Sequence, residues 1–339
     1  MPTIVLTGGG TAGHVMPNVA LLPELRKHFD KIYYVGGSGM EKEIARKYAL
    51  PYYETAVVKL DRKRLLSNLK IPVKLALGVS QATEIIRFLK PDVVFSKGGY
   101  VALPTCFAAK KLGIPVVCHE SDFSLGLANK IVSKFAVKTL TSFPETKGGI
   151  FVGNPVREDF FKRERAQKIA FFPQNKSTLL VCGGSLGAVP VNNAVYQALP
   201  TLLKDYNVVH VAGKNANFSV KLPGYFQCAY TDDFPSYLAS CDVVVCRSGA
   251  NTLTEAAALG KRCVTVPLPK GSSRGDQILN AHSFERRGYC TVLPQQNLSP
   301  DTLVSAIEAV RYKVPLKLDA SGVNTRVVQE ILSVLPAHP

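Results

Sequence analysis

The stretch TIVLTGGGTAGHVMPNVALL (3–22) joins a run of apolar, β-branched residues to a glycine turn and then to a helix-spaced segment, and it returns as TLLVCGGSLGAVPVNNAVYQAL (178–199). A uniformly apolar strand, a glycine turn and a helix together open a βαβ unit in a parallel sheet covered on both faces. KIYYVG (31–36), DVVFS (92–96) and PVVCH (115–119) continue the first series, while NVVHVA (207–212), DVVVCR (242–247) and CVTVPL (263–268) continue the second. A further echo pairs KPDVVFSKGG (90–99) with SCDVVVCRSG (240–249). The pattern predicts an α/β chain of two Rossmann-like domains. GNPV (153–156) and the charged REDFFKRERAQK (157–168) break the strand–helix rhythm. The expected divisions are 1–155, 156–322 and a C-terminal helix and tail, 323–339, that packs back on the first domain.

A chain of 339 residues suits two domains, and 46% hydrophobic against 19% charged residues excludes a disordered or fibrous one. No 18-residue apolar run and no basic leader is present, so neither a spanning helix nor a signal peptide is expected. The net charge of +16 attracts phosphates, anionic membranes or nucleic acid. Both halves are basic, and aromatics are not interleaved with the cations, so nucleic acid is not the expected partner. Eight cysteines without a CxxC pair, most of them inside apolar runs, read as buried hydrophobes in a reducing compartment.

Gly8, Gly10 and Gly13 satisfy G-x-G-x-x-G between a strand and a helix, a geometry whose N–H groups suit a phosphate. A dinucleotide site also needs an acid at the end of the second strand, roughly 20 residues on. That strand ends in Val35-Gly36-Gly37, and Asp30 lies before it. An anion site remains, with His14 beyond the last glycine as a general base or as a residue packed at the turn. The second turn adds the hydroxyl of Ser185. CRSGANTLTE (246–255) starts a helix on which Glu255 either accepts ribose hydroxyls or simply favours the helix dipole. Gln277 and Asn280, at i and i+3, share a face whose amides suit sugar hydroxyls, as an exposed polar face also would.

GGGTAGHVMPNVAL (8–21), GGYVALP (98–104), HESDFSLGLAN (119–129), GNPVR (153–157), GGSLGA (183–188), CRSGANTLTE (246–255) and QILNA (277–281) resemble, in order, the motifs of the MurG glycosyltransferases, family 28. The resemblance spans residues 3 to about 310. It implies a GT-B fold, two domains facing a cleft, and an inverting transfer of GlcNAc from UDP-GlcNAc to the MurNAc 4-hydroxyl of lipid I in peptidoglycan synthesis. No cofactor and no metal are implied. By the resemblance, His14, Glu120 and Tyr100 are catalytic, and Gly9, Gly10, Thr11, Gly13, His119, Asp122 and Asn129 bind the acceptor. Thr11, Ala12, Gly13, Arg157, Ser185, Asn192, Ala250, Thr252, Glu255, Gln277 and Asn280 serve the donor, with Arg157 and Ser185 on its phosphates and Glu255 on the ribose.

Three departures stand out. Ser121 and Asp122 replace two amides of the family motif, Leu186 replaces a common Gln, and Asp276 replaces the amide before Gln277. They keep open a related transferase with another lipid or glycan acceptor, or a nucleotide-sugar-binding scaffold without turnover. The linker from Val310 to Val323 also looks short. Residues 59–74, KLDRKRLLSNLKIPVK, set six cations against the single acid Asp61 with leucines interleaved. Such a stretch fits the anionic inner leaflet on the cytoplasmic face, where cell-wall synthesis proteins are further expected partners, or else a solvated loop over a helix.

Overall fold

The computed structural model describes residues 2–59, 71–162, 172, 175–184, 186–214, 216, 220–271 and 274–335. They form two compact units, Met1–Val156 with Ala320–Pro339, and Arg157–Asp319.

In the first unit, seven parallel strands run in the order β3-β2-β1-β4-β5-β6-β7. They are β1 (Thr3–Thr7), β2 (Lys31–Gly36), β3 (Tyr52–Glu54), β4 (Val93–Ser96), β5 (Val116–Glu120), β6 (Lys138–Thr141) and β7 (Ile150–Phe151). Helices α1 (Ala12–Leu25), α2 (Met40–Lys47), α3 (Ile71–Leu89), α4 (Leu103–Lys111) and α5 (Leu127–Val132) connect them. Successive side chains of β1 feed opposite cores. Ile4 and Leu6 pack with Val15, Val19 and Leu22 of α1. Val5 packs with Ala82 and Ile86 of α3 and Cys106 of α4. This two-sided burial is why the strands read as unbroken apolar runs. The chain returns at α11 (Val323–Leu332), whose Val327, Val328 and Ile331 are buried in the α1 core. Each of these side chains contributes about 1.5–3 kcal/mol when fully buried. Asn324 Nδ2 donates to Ala20 O at 3.1 Å and to Val156 O at 3.0 Å.

The second unit repeats the plan with β8 (Ser177–Cys182), β9 (Tyr206–Val211), β10 (Tyr225–Cys228), β11 (Val243–Cys246), β12 (Arg262–Thr265) and β13 (Thr291–Val292), in the order β10-β9-β8-β11-β12-β13. Its helices are α6 (Val189–Asp205), α7 (Phe234–Ser240), α8 (Ala250–Ala258), α9 (Asp276–Arg286) and α10 (Pro300–Arg311). The sequence echo is a structural one. Asp92 Oδ2 accepts from Thr3 N at 2.7 Å, and Asp242 Oδ2 accepts from Thr178 N at 2.8 Å. Each aspartate thereby ties the start of the strand after the switch to the strand before it. The strand order reverses between β1 and β4 and between β8 and β11, and ligands of such sheets bind outside the carboxyl ends at that switch point. Six of the eight cysteines are buried, and all eight are free thiols. The short outer strands β3, β6, β7, β10 and β13 have no counterpart in the sequence reading.

Candidate functional site

At the first switch point the turn after β1 meets the loop after β4. Gly10 has φ +82°, and a Cβ there would stand 2.6 Å from the Tyr100 ring, so only glycine lets the tyrosine close over the turn. The inner side of the turn holds Glu41 of α2, 1% exposed. Its Oε2 accepts from Gly10 N at 3.3 Å and its Oε1 from Gly37 N at 3.2 Å. A carboxylate therefore already occupies an N–H that the sequence reading offers to a phosphate. Tyr34 fastens the turn from below, donating to Gly8 O at 2.7 Å. Thr11 is exposed, and Ala12, Gly13 and His14 are half-buried at the start of α1. His14 Nδ1 lies 3.0 Å from Thr11 Oγ1. With Nδ1 donating to Thr11, the basic lone pair is on Nε2. Burial, with Glu41 adding to it, raises the Tyr100 hydroxyl above its ordinary value.

Behind this surface lies a polar layer. His119 is fully buried, its Nε2 donating to Gly153 O at 2.9 Å and its Nδ1 facing Lys97 Nζ. Burial, with the Lys97 charge assisting, holds its pKa well below the ordinary value. Glu120 is 3% exposed and accepts from Asp122 N (3.0 Å), Gly126 N (2.8 Å) and Asn129 Nδ2 (2.9 Å). Asn129, also buried, donates to His119 O at 3.2 Å as well. His119, Glu120 and Asn129, expected at a ligand surface by the motif reading, are thus buried. Internal hydrogen bonds engage both nitrogens of His119, both oxygens of Glu120 and the Asn129 amide nitrogen, which leaves these residues to shape the loop carrying the half-buried Asp122.

Around the second switch point the turn is packed at Gly183 and Gly187 and open at Gly184. Gly184, φ +88°, is exposed, and a Cβ there would meet nothing within 4 Å. Leu186 is 64% exposed, and Ser185 lies outside the described residues. Buried Asn192 braces the helix behind the turn, donating to Ala212 O at 2.8 Å while its Oδ1 faces His210 Nε2 at 3.1 Å. After β11, Arg247 is 9% exposed, with Nη1 on Val266 O at 3.0 Å and Nη2 on Gln295 Oε1 at 2.7 Å. Ala250 is buried at the start of α8, whose N-cap is Gly249, a residue with no side chain to cap the helix. Thr252 and Glu255 are half-buried further along it. Burial pushes the Glu255 carboxyl up to about 7, against the pull of Arg157. Arg157 itself is half-buried, with its guanidinium 4.9 Å over the Phe160 ring. Gln277 Oε1 accepts from Leu268 N at 3.0 Å, and the fully buried Asn280 donates to Ser248 O at 3.1 Å. Asn280 thus fixes the β11–α8 turn from behind, which is not the open amide face expected for it. Asp276 is held at 2.8 Å by Arg274.

Lys97, Glu41 and Arg247, buried beside the two switch points, are not among the residues singled out from the sequence. Lys97 and Arg247 do carry a sequence signal, since each interrupts an apolar run at the same place in the 90–99 and 240–249 echo. Glu41, in MEKEIARK, reads as one charge among several on a solvated helix.

Two family models match the chain: the glycosyltransferase family 28 N-terminal domain over residues 4–141 and the glycosyltransferase family 28 C-terminal domain over residues 178–323. A Clostridium perfringens protein named UDP-N-acetylglucosamine–N-acetylmuramyl-(pentapeptide) pyrophosphoryl-undecaprenol N-acetylglucosamine transferase is 44% identical across 97% of both chains. A Geobacillus thermodenitrificans protein of the same name is 44% identical across 94% of this chain and 95% of its own. The crystal structure of Acinetobacter baumannii MurG superposes with a TM-score of 0.71 at 25% identity, covering 98% of this chain and all of that one.

Proposed function

The chain belongs to glycosyltransferase family 28, with the GT-B fold, and we infer that it is a UDP-GlcNAc-dependent N-acetylglucosaminyltransferase that glycosylates N-acetylmuramyl-(pentapeptide) pyrophosphoryl-undecaprenol, lipid I. The observation that carries this reading is the 44% identity to a transferase of that name along 97% of both chains. In the mechanism, His14 Nε2 takes the proton from the MurNAc 4-hydroxyl as that oxygen attacks the anomeric carbon of GlcNAc with inversion, and UDP leaves. The N-terminus of α8, the turn at Gly184 and Arg157 receive the charge developing on UDP. Glu255 accepts from the ribose hydroxyls, and Gln277 faces the sugar. The half-buried positions of His14, Thr252, Glu255 and Gln277 at the carboxyl ends of their sheets support these roles.

The acceptor is lipid-linked, and the same reading makes the protein a peripheral one on the cytoplasmic face of the cell membrane. Among the described residues no helix is long and apolar enough to cross a bilayer. Most of the basic stretch 59–74 lies outside the described residues, but the first turns of α3 expose Val73 (74%) and Leu77 (53%) beside Lys74. That mixture supports docking on anionic lipid. The reaction is tested by UDP release with UDP-GlcNAc and lipid I, without acceptor, and with a diacylglycerol acceptor. Release confined to lipid I is expected. Release with another acceptor alone would move the chain to a different substrate, and silence with all of them would remove the catalytic reading.

A further inference from the structure

Lys97 is the buried cation that the described residues place at the first switch point, and the mechanism does not use it. It follows β4 directly, its N–H donates to Thr7 O at 2.9 Å, and a Cβ on Gly8 would stand 3.1 Å from its own Cβ. The side chain is 1% exposed. Because His119 Nε2 is committed to Gly153 O, Nδ1 must accept from Lys97 Nζ. Nζ also donates to Ser121 Oγ at 2.8 Å, and Ser121 passes its own hydrogen to Asn154 Oδ1 at 3.1 Å. These two acceptors satisfy a neutral amine, and an ammonium carries one hydrogen more. Burial, opposed by the Glu120 and Asp122 charges, brings the Lys97 pKa down to about 7.

The charges around the turn are uneven. On the β2 side Glu41 already fills the Gly10 N–H. On the β5 side the carboxylates of Glu120 and Asp122, the Cys118 thiol and the neutral His119 ring face Lys97. A diphosphate entering with Lys97 neutral would meet carboxylates on both sides. We propose that Lys97 is a positioning residue for the acceptor, a buried amine that takes up a proton as the diphosphate docks over the β1–β4 switch point and holds it there through the field of its charge. The Ser121–Asp122 departure from the family motif then belongs with Lys97: the serine is the amine's acceptor, and the aspartate is balanced by its charge. The inference rests on the lipid I reading.

The test compares wild type with Lys97→Met, with the fold of the variant checked by its melting curve and its UDP-GlcNAc KM. In the variant the acceptor KM rises at least ~10-fold at pH 6.5 while the donor KM stays within about two-fold. The ratio of the two acceptor KM values closes toward one above pH ~8.5, where the wild-type amine is also neutral. Inorganic pyrophosphate, added in saturating UDP so that the nucleotide site is filled, raises the wild-type melting temperature and not that of the variant. An acceptor KM ratio near one, or one that is constant with pH, overturns the proposal. Lys97-dependent stabilisation by pyrophosphate without turnover of lipid I would keep Lys97 as an anion-positioning residue and defeat the acceptor assignment instead. Absence of both effects defeats the role of Lys97.

Discussion

Lys97 and Arg247 occupy the same place in the two units, one step beyond the strand that follows the switch, and both are buried. Their surroundings differ. Arg247 is wrapped by the carbonyls of Val266 and Pro267 and by Gln295, a permanent charge holding loops together. Lys97 is given an imidazole nitrogen and a hydroxyl, partners that accept an amine as readily as an ammonium. The turns beside them differ in the same sense. The first is backed by Glu41 and covered by Tyr100, whereas the second is open at Gly184. One architectural position thus serves a fixed scaffold in one unit and an adjustable charge in the other.

The largest expected effects separate chemistry in the first unit from binding in the second. His14→Ala should lower kcat by about 10²–10⁴-fold with little change in donor KM. Glu255→Ala should raise donor KM by about 10- to 100-fold with a smaller change in kcat. Steady-state kinetics on both substrates checks the pair, and a reversed pattern would break the division. Next comes the stability of the two cations. Arg247→Met strands several buried carbonyls and should cost about 2–4 kcal/mol, whereas Lys97→Met strands His119 Nδ1 but removes a desolvated amine and should cost about 1–2 kcal/mol. Urea denaturation at pH 7 measures both, and equal losses would make the two positions equivalent.

The same melts against pH sharpen the contrast. Folded Lys97 releases its proton near 7, and the unfolded side chain keeps it to its ordinary 10.5. Between those values the unfolded chain binds more protons, so wild type should gain stability over Lys97→Met as pH rises. Glu255 behaves oppositely. Its folded carboxyl holds a proton up to about 7 and the unfolded one only to 4.5, so wild type should lose stability relative to Glu255→Gln across that interval as pH rises. The smallest effect tests the repeat itself. Asp92→Ala and Asp242→Ala remove matching bonds to Thr3 N and Thr178 N and should cost about 1–2 kcal/mol each. The double variant should be additive within ~0.5 kcal/mol.

The central strands and both glycine turns were legible because two-sided burial demands unbroken apolar runs there. The outer strands were not: β7 and β13 have two residues each, exposed or half-buried, too short for any periodicity. The candidate residues at the carboxyl ends of the strands were legible through motif spacing, but spacing does not distinguish a side chain facing a ligand from one behind it. His119, Glu120, Asn129 and Asn280 are all buried. Glu41 was hidden because a charged residue in an amphipathic helix reads as solvated until tertiary packing turns it inward.

The packing of α11 into the α1 core has a consequence for biosynthesis. The second unit is inserted between two stretches that build the first, so the domain whose synthesis begins earliest is completed last. Until Val327, Val328 and Ile331 have left the ribosome, the nascent first unit presents an uncovered apolar stripe along α1, while the whole inserted unit has already been translated and is free to fold.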